Sequence, residues 1–353
     1  MTQAPLHLGI LGAAGILRKK NWLAIQQSGN VHIAALATRD PLRTRQFIAE
    51  RQAEAAFPNV PLAHDSYESL LADKSIEAVY LPLPTALRKE WVIRAAEAGK
   101  HILCEKPCAV SAGDLREMLD ACHRNRVQFM DGVMFMHNPR LARLREVLDD
   151  AERIGPIRRI TSVFSFLGTG DFRETNIRAQ TALEPLGCLG DLGWYCLRFT
   201  LWAMRWKLPR RVTGRILAGG SDAAPLDFSG ELFFADGASA AFHCSFFAVN
   251  QQWANVSGAN GFVRVPDFVL PTSENDVAWE VNYKPVSKAE AGLYLDTPTT
   301  ADSQESLMFH HFASQVRSGT LNEDWFDLAL KTQRVTDACM ASARANGQLT
   351  DVS

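Results

Sequence analysis

The sequence lacks the features that mark membrane, secreted and nucleic-acid-binding proteins. No apolar stretch approaches the roughly 20 residues that a membrane-spanning helix needs. The longest basic run is the "LRKK" of residues 17–20, and the formal net charge is only −2. A near-neutral charge of mixed sign gives no reason to expect nucleic acid or an acidic membrane surface as a partner. The N-terminus shows no secretory signal pattern, so we expect a cytoplasmic protein.

Cysteine is present in an odd number and without a metal-binding pattern. The seven cysteines include no C-x-x-C pair. Cys104 and Cys108 are close in sequence, but no histidine or second cysteine pair completes a zinc motif. We therefore expect buried free thiols in a reducing compartment, and no metal site.

The first part of the chain predicts a Rossmann-type domain over residues 1–130. A length of 353 residues favours two domains. Apolar strand patterns alternate with helical patterns: strands at 6–11, 31–38, 77–84, 101–105 and 127–132, and helices up to 25, over 41–55, up to 98 and over 112–124. Such alternation with unbroken apolar strands predicts a parallel sheet covered on both faces, the α/β class.

The second part, residues 131–353, predicts an α+β domain with a large, mostly antiparallel open sheet. Its strand patterns lie at 157–168, 210–217, 229–236, 238–248 and 261–270, with helices around 189–202, 305–317 and 324–343. We expect the last helix to pack back toward the first domain. Phe233, Phe242, Phe246 and Phe247 put apolar side chains on both sheet faces. An apolar outer face predicts a homodimer through this sheet.

A small-residue loop follows the first strand, where a dinucleotide-binding loop is expected. Gly12 suits the tight turn, although the second glycine of the G-x-G-x-x-G pattern is replaced by Ala14. Ala13, Ala14 and Gly15 are small enough for backbone N–H groups to approach a pyrophosphate at a helix N-terminus. The loop therefore predicts a nucleotide phosphate site.

The tip of the second strand favours NADP over NAD. An acidic residue there binds the ribose 2′-hydroxyl of NAD, whereas arginine suits a 2′-phosphate. Thr38 and Arg39 come first, and Arg43 lies one helical turn further on. The alternative is that Arg39 is a solvated surface residue and Asp40 binds the ribose.

Two stretches carry polar residues in unusual settings. "CEKP" places Glu105 and Lys106 at the carboxyl end of a predicted strand, where ligands bind in open α/β sheets. Taken alone, the "CEKP" stretch is typical of a surface loop that a proline makes rigid.

In "LGCLGDLGWYCLRF", residues 186–199, Asp191 and Tyr195 share a helix face. The three glycines of that stretch indicate a close approach, since glycine weakens a helix.

These motifs, taken in order, resemble the Gfo/Idh/MocA oxidoreductase family nearly end to end. The likeness is carried by "GILGAAGI", "ATRD", "YLPLPTALRKEW", "CEKP", "GCLGDLGWYCL" and "SGANGFVRVPDF". Tyrosine at position 195 and "TNIRAQTALEPLG" resemble the branch that contains glucose–fructose oxidoreductase, dimeric dihydrodiol dehydrogenase and NADP-dependent xylose dehydrogenases. Arg88 stands where relatives often have histidine.

The resemblance implies a set of site residues. The catalytic residues would be Lys106, Tyr195 and Asp191. The cofactor would contact Gly12, Ala13, Ala14, Gly15, Ile16, Thr38, Arg39, Arg43, Pro82, Leu83, Pro84, Glu105 and Lys106. The substrate would contact Lys106, His137, Asn176, Arg178, Asp191 and Tyr195.

The implied reaction is hydride transfer between NADP, or less favourably NAD, and a CH–OH or carbonyl group of a pyranose sugar or cyclic diol. Tyr195 would exchange the hydroxyl proton. A free tyrosine titrates near pH ~10, so the Lys106 ammonium would be needed to favour its phenolate. The competing hypothesis is a non-catalytic NAD(P)-binding sensor, which could lose Lys106 and Tyr195 freely. A third possibility is a tightly held cofactor recycled between two sugars.

Overall fold

A computed structural model of the protein describes residues 4–219, 223–271, 279–283, 290–292 and 303–353. The chain divides into two compact units. The first unit comprises Met1–Ala109, Gly113–Asn138 and Pro298–Ala329, and the second comprises Val110–Ala112, Pro139–Thr297 and Leu330–Ser353.

The elements of the first unit alternate as predicted, with two short additions. In chain order they are β1 (Leu6–Leu11), a π-helical turn (Leu17–Asn21), α1 (Trp22–Gln27), β2 (Val31–Ala37), α2 (Pro41–Glu54), β3 (Leu62–His64), α3 (Tyr67–Ala72), β4 (Ala78–Leu81), α4 (Thr85–Glu97), β5 (His101–Cys104), α5 (Ala112–Arg124), β6 (Phe129–Asp131) and a 3-10 turn (Met134–His137). The additions are β3 and α3, which the sequence patterns did not predict.

The elements of the second unit follow, together with two helices at the end of the chain. They are α6 (Arg140–Asp149), β7 (Ile157–Ser165), α7 (Phe172–Thr175), a 3-10 turn (Ile177–Ala179), a π-helical turn (Leu189–Gly193), α8 (Trp194–Ala203), β8 (Arg211–Ala218), β9 (Asp227–Phe233), β10 (Ser239–Ser245), β11 (Gln251–Gly258), β12 (Gly261–Val265), β13 (Trp279–Tyr283), β14 (Glu290–Gly292), α9 (Gln304–Ser318), α10 (Glu323–Arg344) and β15 (Thr350–Asp351). Helix α9 belongs to the first unit.

The first unit is a six-stranded parallel sheet in the order β3-β2-β1-β4-β5-β6. This is the Rossmann strand order, which confirms the predicted fold class. Leu8, Ile10, Tyr80 and Leu103 are fully buried in the sheet core. Because all the strands run in one direction, the loops after β1, β2, β4, β5 and β6 emerge at the same edge.

The second unit is built on a nine-stranded sheet in the order β14-β13-β12-β11-β7-β10-β9-β8-β15. Its pairings are antiparallel except for β7 with β10. The mostly antiparallel sheet is thus confirmed, and among the described strands the parallel pairing is that of β7 with β10. The long segment after β7, which contains α8, returns the chain in the same direction, as a parallel pairing requires.

The two faces of this sheet differ in character. Phe242 and Phe246 are buried, whereas Phe233 and Phe247 are half-buried. His243 lies on the half-buried side and binds Asp227 at 2.7 Å. That side therefore mixes aromatic and charged groups. Among the helices of the described ranges, none is long and apolar enough to cross a membrane.

Candidate active site

The turn after β1 has the backbone geometry that Gly12 was predicted to supply. Gly12 is buried with φ +108°, and its N–H donates to the Ala37 carbonyl at 2.8 Å. A Cβ at Gly12 would lie 3.1 Å from the Leu83 side chain, so this turn packs against the loop after β4. A positive φ of this kind favours glycine.

The space at the N-terminus of the following helix is open. Helical backbone starts at Gly15, and a Cβ at Gly15 would meet no atom within 4 Å. Ala13 and Ala14 are half-buried, while Ile16 is 37% exposed. The first N–H groups of a helix have no intrahelical acceptor and favour anions. The loop therefore fits a nucleotide pyrophosphate.

The tip of β2 is held by its own hydrogen bonds. The Thr38 hydroxyl donates to the Asp40 carbonyl at 2.7 Å, and the Thr38 N–H donates to the Thr44 hydroxyl at 3.0 Å. Asp40 is the N-cap of α2, and its carboxylate accepts from the Leu42 N–H at 2.9 Å. The Asp40 carboxylate thus stabilises the start of a helix, a role worth about 1 kcal/mol.

Arg39 and Arg43 act on a tyrosine that sequence reasoning missed. Burial raises the pKa of Tyr67, and the charges of Arg39 and Arg43 oppose that shift, which places both guanidinium groups within electrostatic range of its hydroxyl. The Tyr67 hydroxyl also lies 3.8 Å from where a Cβ of Gly12 would stand. Tyr67 therefore lies near the Gly12 turn and within the electrostatic reach of Arg39 and Arg43. Two guanidinium groups there fit a 2′-phosphate.

The loops after β4 and β5 are joined by Arg88. Its Nε donates to the Leu83 carbonyl at 2.7 Å, and one terminal N–H donates to the Pro107 carbonyl. Pro82 and Leu83 are buried, and Pro84 precedes α4 as its N-cap. The predicted cofactor segment after β4 and the loop that carries Lys106 therefore lie side by side.

Glu105 is held by a buried tyrosine. The Tyr80 hydroxyl donates to the Glu105 carboxylate at 2.6 Å and accepts from the Asn21 amide at 2.6 Å. Burial and the Glu105 carboxylate raise the pKa of Tyr80 well above its ordinary value, so the phenol stays protonated and remains a donor. Lys106, half-buried, follows Glu105 and is joined to Pro107 by a cis peptide bond.

In the second unit, three predicted residues form one cluster. Asp191 lies in the π-helical turn before α8 and pairs with Arg178, Nε to Oδ2, at 2.8 Å. The Asp191 carboxylate raises the pKa of Arg178, and Tyr195 adds to the effect. Tyr195, 7% exposed, packs edge-on against Phe164. A carboxylate, a guanidinium and a phenol are thus close together, in a turn type that is frequent at functional sites.

The glycines before α8 accommodate the protein's own sheet. Gly187 has φ +47°, and a Cβ there would overlap the Pro225 carbonyl oxygen. A Cβ at Gly193 would lie 3.1 Å from the Cys244 sulfur on β10. Both glycines therefore do allow a close approach. Gly187 lies against the backbone of Pro225, and Gly193 lies against β10 of the same unit.

His137 and Asn176 have local partners. His137 Nδ1 lies 3.0 Å from Nδ1 of His311, and its ring meets Trp325 edge-on. The Asn176 side chain accepts from the Arg178 N–H at 3.0 Å and caps the 3-10 turn. Their substrate contacts stay predictions. Among the described residues, no group of three potential metal ligands is present.

The first unit thus assembles the predicted cofactor residues at one sheet edge, and the second unit assembles Arg178, Asp191 and Tyr195. Sequence reasoning missed Tyr67, Tyr80 and Asn21 as neighbours of these residues. The serine before Tyr67 starts a capping box with Ser69, which was a readable helix signal. Tyr80 carried a weaker signal, a hydroxyl within a fully buried strand.

Comparison with known proteins gives the class. The model of the oxidoreductase family with an NAD-binding Rossmann fold matches residues 6–133, and that of the GFO/IDH/MocA C-terminal domain matches residues 141–264. The chain is 31% identical over 345 residues to D-xylose 1-dehydrogenase (NADP(+)) 2 of Haloferax volcanii, covering 96% of this chain and 97% of the relative.

Two further likenesses extend the comparison. Trans-1,2-dihydrobenzene-1,2-diol dehydrogenase of Mus musculus is 30% identical over 270 residues, 76% of each chain. A 3-ketoreductase from Actinomadura kijaniata, solved with NADP and TDP-benzene, superposes with a TM-score of 0.83 at 21% identity, over 96% of this chain and 98% of that one. The last likeness concerns the fold. The chain belongs to the Gfo/Idh/MocA family of oxidoreductases.

Proposed function

We propose that this oxidoreductase transfers a hydride between NADP and a CH–OH or carbonyl group of a pyranose sugar or cyclic diol, with Tyr195 as acid/base and Lys106 as its assistant. The observation that carries the proposal is the assembly at one edge of the parallel sheet. There the Gly12 turn, the Arg39 and Arg43 cations and the Lys106 loop emerge together.

The choice of NADP follows from the tip of β2. A ribose 2′-hydroxyl needs an acceptor, and one oxygen of the Asp40 carboxylate, Oδ1, caps α2 by accepting from the Leu42 N–H. Arg39 and Arg43 instead offer donors and positive charge beside Tyr67. Guanidinium groups bind phosphate through paired, charge-assisted hydrogen bonds. The H. volcanii relative is likewise named as an NADP(+) enzyme.

The side chains have distinct tasks in this proposal. NADP, when bound, supplies or accepts the hydride. Tyr195 exchanges the proton of the substrate hydroxyl, and the Lys106 ammonium stabilises its phenolate by charge. Asp191, in its ion pair with Arg178, accepts a hydrogen bond from a neighbouring substrate hydroxyl. Proton transfer of this kind is typically worth about 10²–10⁴-fold in rate.

The substrate class is inferred from the relatives. D-xylose and trans-1,2-dihydrobenzene-1,2-diol, the substrates in their names, both carry neighbouring hydroxyl groups. The Arg178–Asp191 pair offers both donors and an acceptor for such a pair of hydroxyls. Which sugar or diol is preferred depends on a few buried hydrogen-bonding groups.

The test is an absorbance assay at about 340 nm with NADP⁺ and NAD⁺, using a panel of aldoses and cyclic diols. We expect turnover with a preference for NADP⁺, reduced about 100-fold or more in Tyr195→Phe and in Lys106→Ala. NADPH binding measured by fluorescence should survive Tyr195→Phe. Binding without turnover on any substrate would favour a nucleotide sensor, and full activity of Tyr195→Phe would refute its role as acid/base.

We further infer a homodimer through the sheet of the second unit and a reducing, cytoplasmic setting. The half-buried Phe233 and Phe247 support the first inference, and seven buried free cysteines support the second. Sedimentation of the purified protein tests the dimer, and a Phe233→Glu variant should shift it toward monomer.

A further inference from the structure

The side chain of Arg88 links two loops at the carboxyl edge of the first sheet. It lies on α4, is 5% exposed, and donates to the carbonyl oxygens of Leu83 and Pro107. Leu83 belongs to the predicted cofactor segment after β4, and Pro107 directly follows Lys106. One rigid, planar guanidinium therefore holds the main chain of both loops.

A side-chain donor is needed here because the loops have few of their own. Pro82, Pro84 and Pro107 have no backbone N–H, so they cannot donate to a neighbouring strand or loop. The guanidinium carries five N–H donors in a fixed fork, which suits two carbonyl oxygens at a defined separation. A lysine at this position would offer one ammonium, and a neutral histidine one N–H.

The charge of Arg88 also reaches the other side of the Lys106 loop. It opposes the upward pKa shift of Tyr80, which places it within electrostatic range of that buried phenol. Tyr80 in turn donates to Glu105, the residue before Lys106. The Glu105–Pro107 segment is thus fixed from two directions, through Tyr80 at Glu105 and through Arg88 at Pro107.

We propose that Arg88 is a positioning residue that sets the place of Lys106 relative to the cofactor segment after β4. It acts through the Leu83 and Pro107 carbonyls and does not itself react. The role given to Lys106 rests on the proposed function, whereas the tie between the two loops does not depend on it.

The variants are Arg88→Lys, Arg88→Gln and Arg88→Ala, with Arg94→Lys as the matched control. Arg94 lies on the same helix but is exposed and paired with Glu68 and Glu90. We expect Arg88→Lys to lower kcat about 10- to 100-fold, because small displacements of catalytic groups have effects of that size. Its KM for the substrate should change less, and Arg94→Lys should match the wild type in both.

Two readouts do not require turnover. Hydrogen–deuterium exchange should become faster in peptides covering residues 82–88 and 105–110 of the Arg88 variants, and should stay unchanged elsewhere in the first unit. The Kd for NADPH, from its fluorescence, should rise in the same variants. In Arg88→Ala, added free guanidinium ion should restore part of the lost activity and protection.

The outcomes separate the two proposals. Wild-type kcat, NADPH affinity and exchange in Arg88→Lys would refute the positioning role. Faster exchange spread over the whole unit, in step with a lower melting temperature and without rescue, would show a merely structural arginine and also refute it. An inactive wild type would refute the proposed function, while the exchange and NADPH measurements would still decide the role of Arg88.

Discussion

At the scale of single residues, orientation decides what a polar side chain does. Asp40 and Arg39 are neighbours at the tip of β2, and either could serve a nucleotide ribose. The Asp40 carboxylate caps α2, while Arg39 and Arg43 extend their charge toward Tyr67. The two tyrosines differ in the same way. The Tyr80 hydroxyl donates to the Glu105 carboxylate, whereas Tyr195 lies near the Arg178–Asp191 ion pair.

Arg39 and Arg43 should decide the preference for NADPH over NADH. Arg39→Gln and Arg43→Gln should each weaken NADPH binding about 10-fold, since each removes a charged hydrogen bond to a phosphate. NADH binding should change little, because NADH has no 2′-phosphate. Both affinities can be measured by fluorescence titration.

The control for that prediction is Arg45→Gln. Arg45 lies on α2, as Arg43 does, but it pairs with Asp65 on the surface at 3.0 Å. It should leave both affinities unchanged. Equal losses for NADPH and NADH in the Arg39 and Arg43 variants would contradict a 2′-phosphate site.

At the scale of elements, α8 is shaped by the sheet against which it packs. The chain enters it through a π-helical turn that contains Gly190 and Gly193, and Gly187 lies two residues before that turn. Gly193 lies against β10, and Gly187 against the segment before β9. This close packing places Asp191 and Tyr195 on a rigid base, as a precise site requires.

Gly187→Ala should destabilise the second unit strongly. The substitution combines a positive φ with an overlap on the Pro225 carbonyl. We expect a loss of about 3 kcal/mol or more in the free energy of unfolding, from urea denaturation.

Gly237→Ala provides the comparison. Gly237 has φ +82° in the turn between β9 and β10, but a Cβ there would meet no atom within 4 Å. Gly237→Ala should lower the free energy of unfolding by about 1 kcal/mol, because it causes backbone strain but no overlap. Equal effects of the two substitutions would show that the contact with Pro225 does not matter.

At the scale of the whole molecule, all seven cysteines are free and buried. Burial raises the pKa of the Cys122 thiol to about 12, and it also raises the pKa values of Cys196 and Cys339. Thiolates are the reactive form, so burial and these shifts both suppress reaction.

The native protein should therefore react negligibly with a thiol reagent such as DTNB, and seven thiols should react after unfolding in guanidinium chloride. A Val60→Cys variant, at a position that is 71% exposed, should add one rapidly reacting thiol to the native count. Rapid reaction of a native wild-type thiol would contradict the burial described here.

Stability should fall on mild acidification because of two half-buried histidines in the first unit. Partial burial lowers the pKa values of His32 and His101 below the ordinary 6.5. The unfolded chain then binds more protons than the folded one below about pH 6.5, so the free energy of unfolding falls as the pH is lowered. Melting temperatures between pH 7.5 and 5.5 measure the slope.

His101→Asn tests one source of that slope. His101 Nδ1 accepts from the Gln128 N–H at 2.9 Å, which requires an unprotonated nitrogen. The asparagine oxygen can accept the same hydrogen bond and does not titrate. The variant should show a shallower loss of stability with acidification; an unchanged slope would assign the effect to other groups.

The sequence by itself determined the α/β class and the oxidoreductase type of chemistry, and it predicted the order of the cofactor segments. Alternation of apolar strands and helices implies a parallel sheet, and a parallel sheet brings its loops to one edge whatever the details. The sequence patterns did not predict β3, which is short, or β11, which is polar. They also did not predict the parallel pairing of β7 with β10, because a local pattern does not show which strand will pair with which.

Only the tertiary structure decided which polar groups meet. The bonds of Tyr80 to Glu105, Arg88 to Pro107 and Arg178 to Asp191 join residues 13 to 25 positions apart on different elements. Hydrogen bonds depend on atomic distance and direction, which only the folded backbone provides. In the sequence, Arg88 was noticeable only because relatives often have histidine at that position. In the structure, its side chain links the loops after β4 and β5.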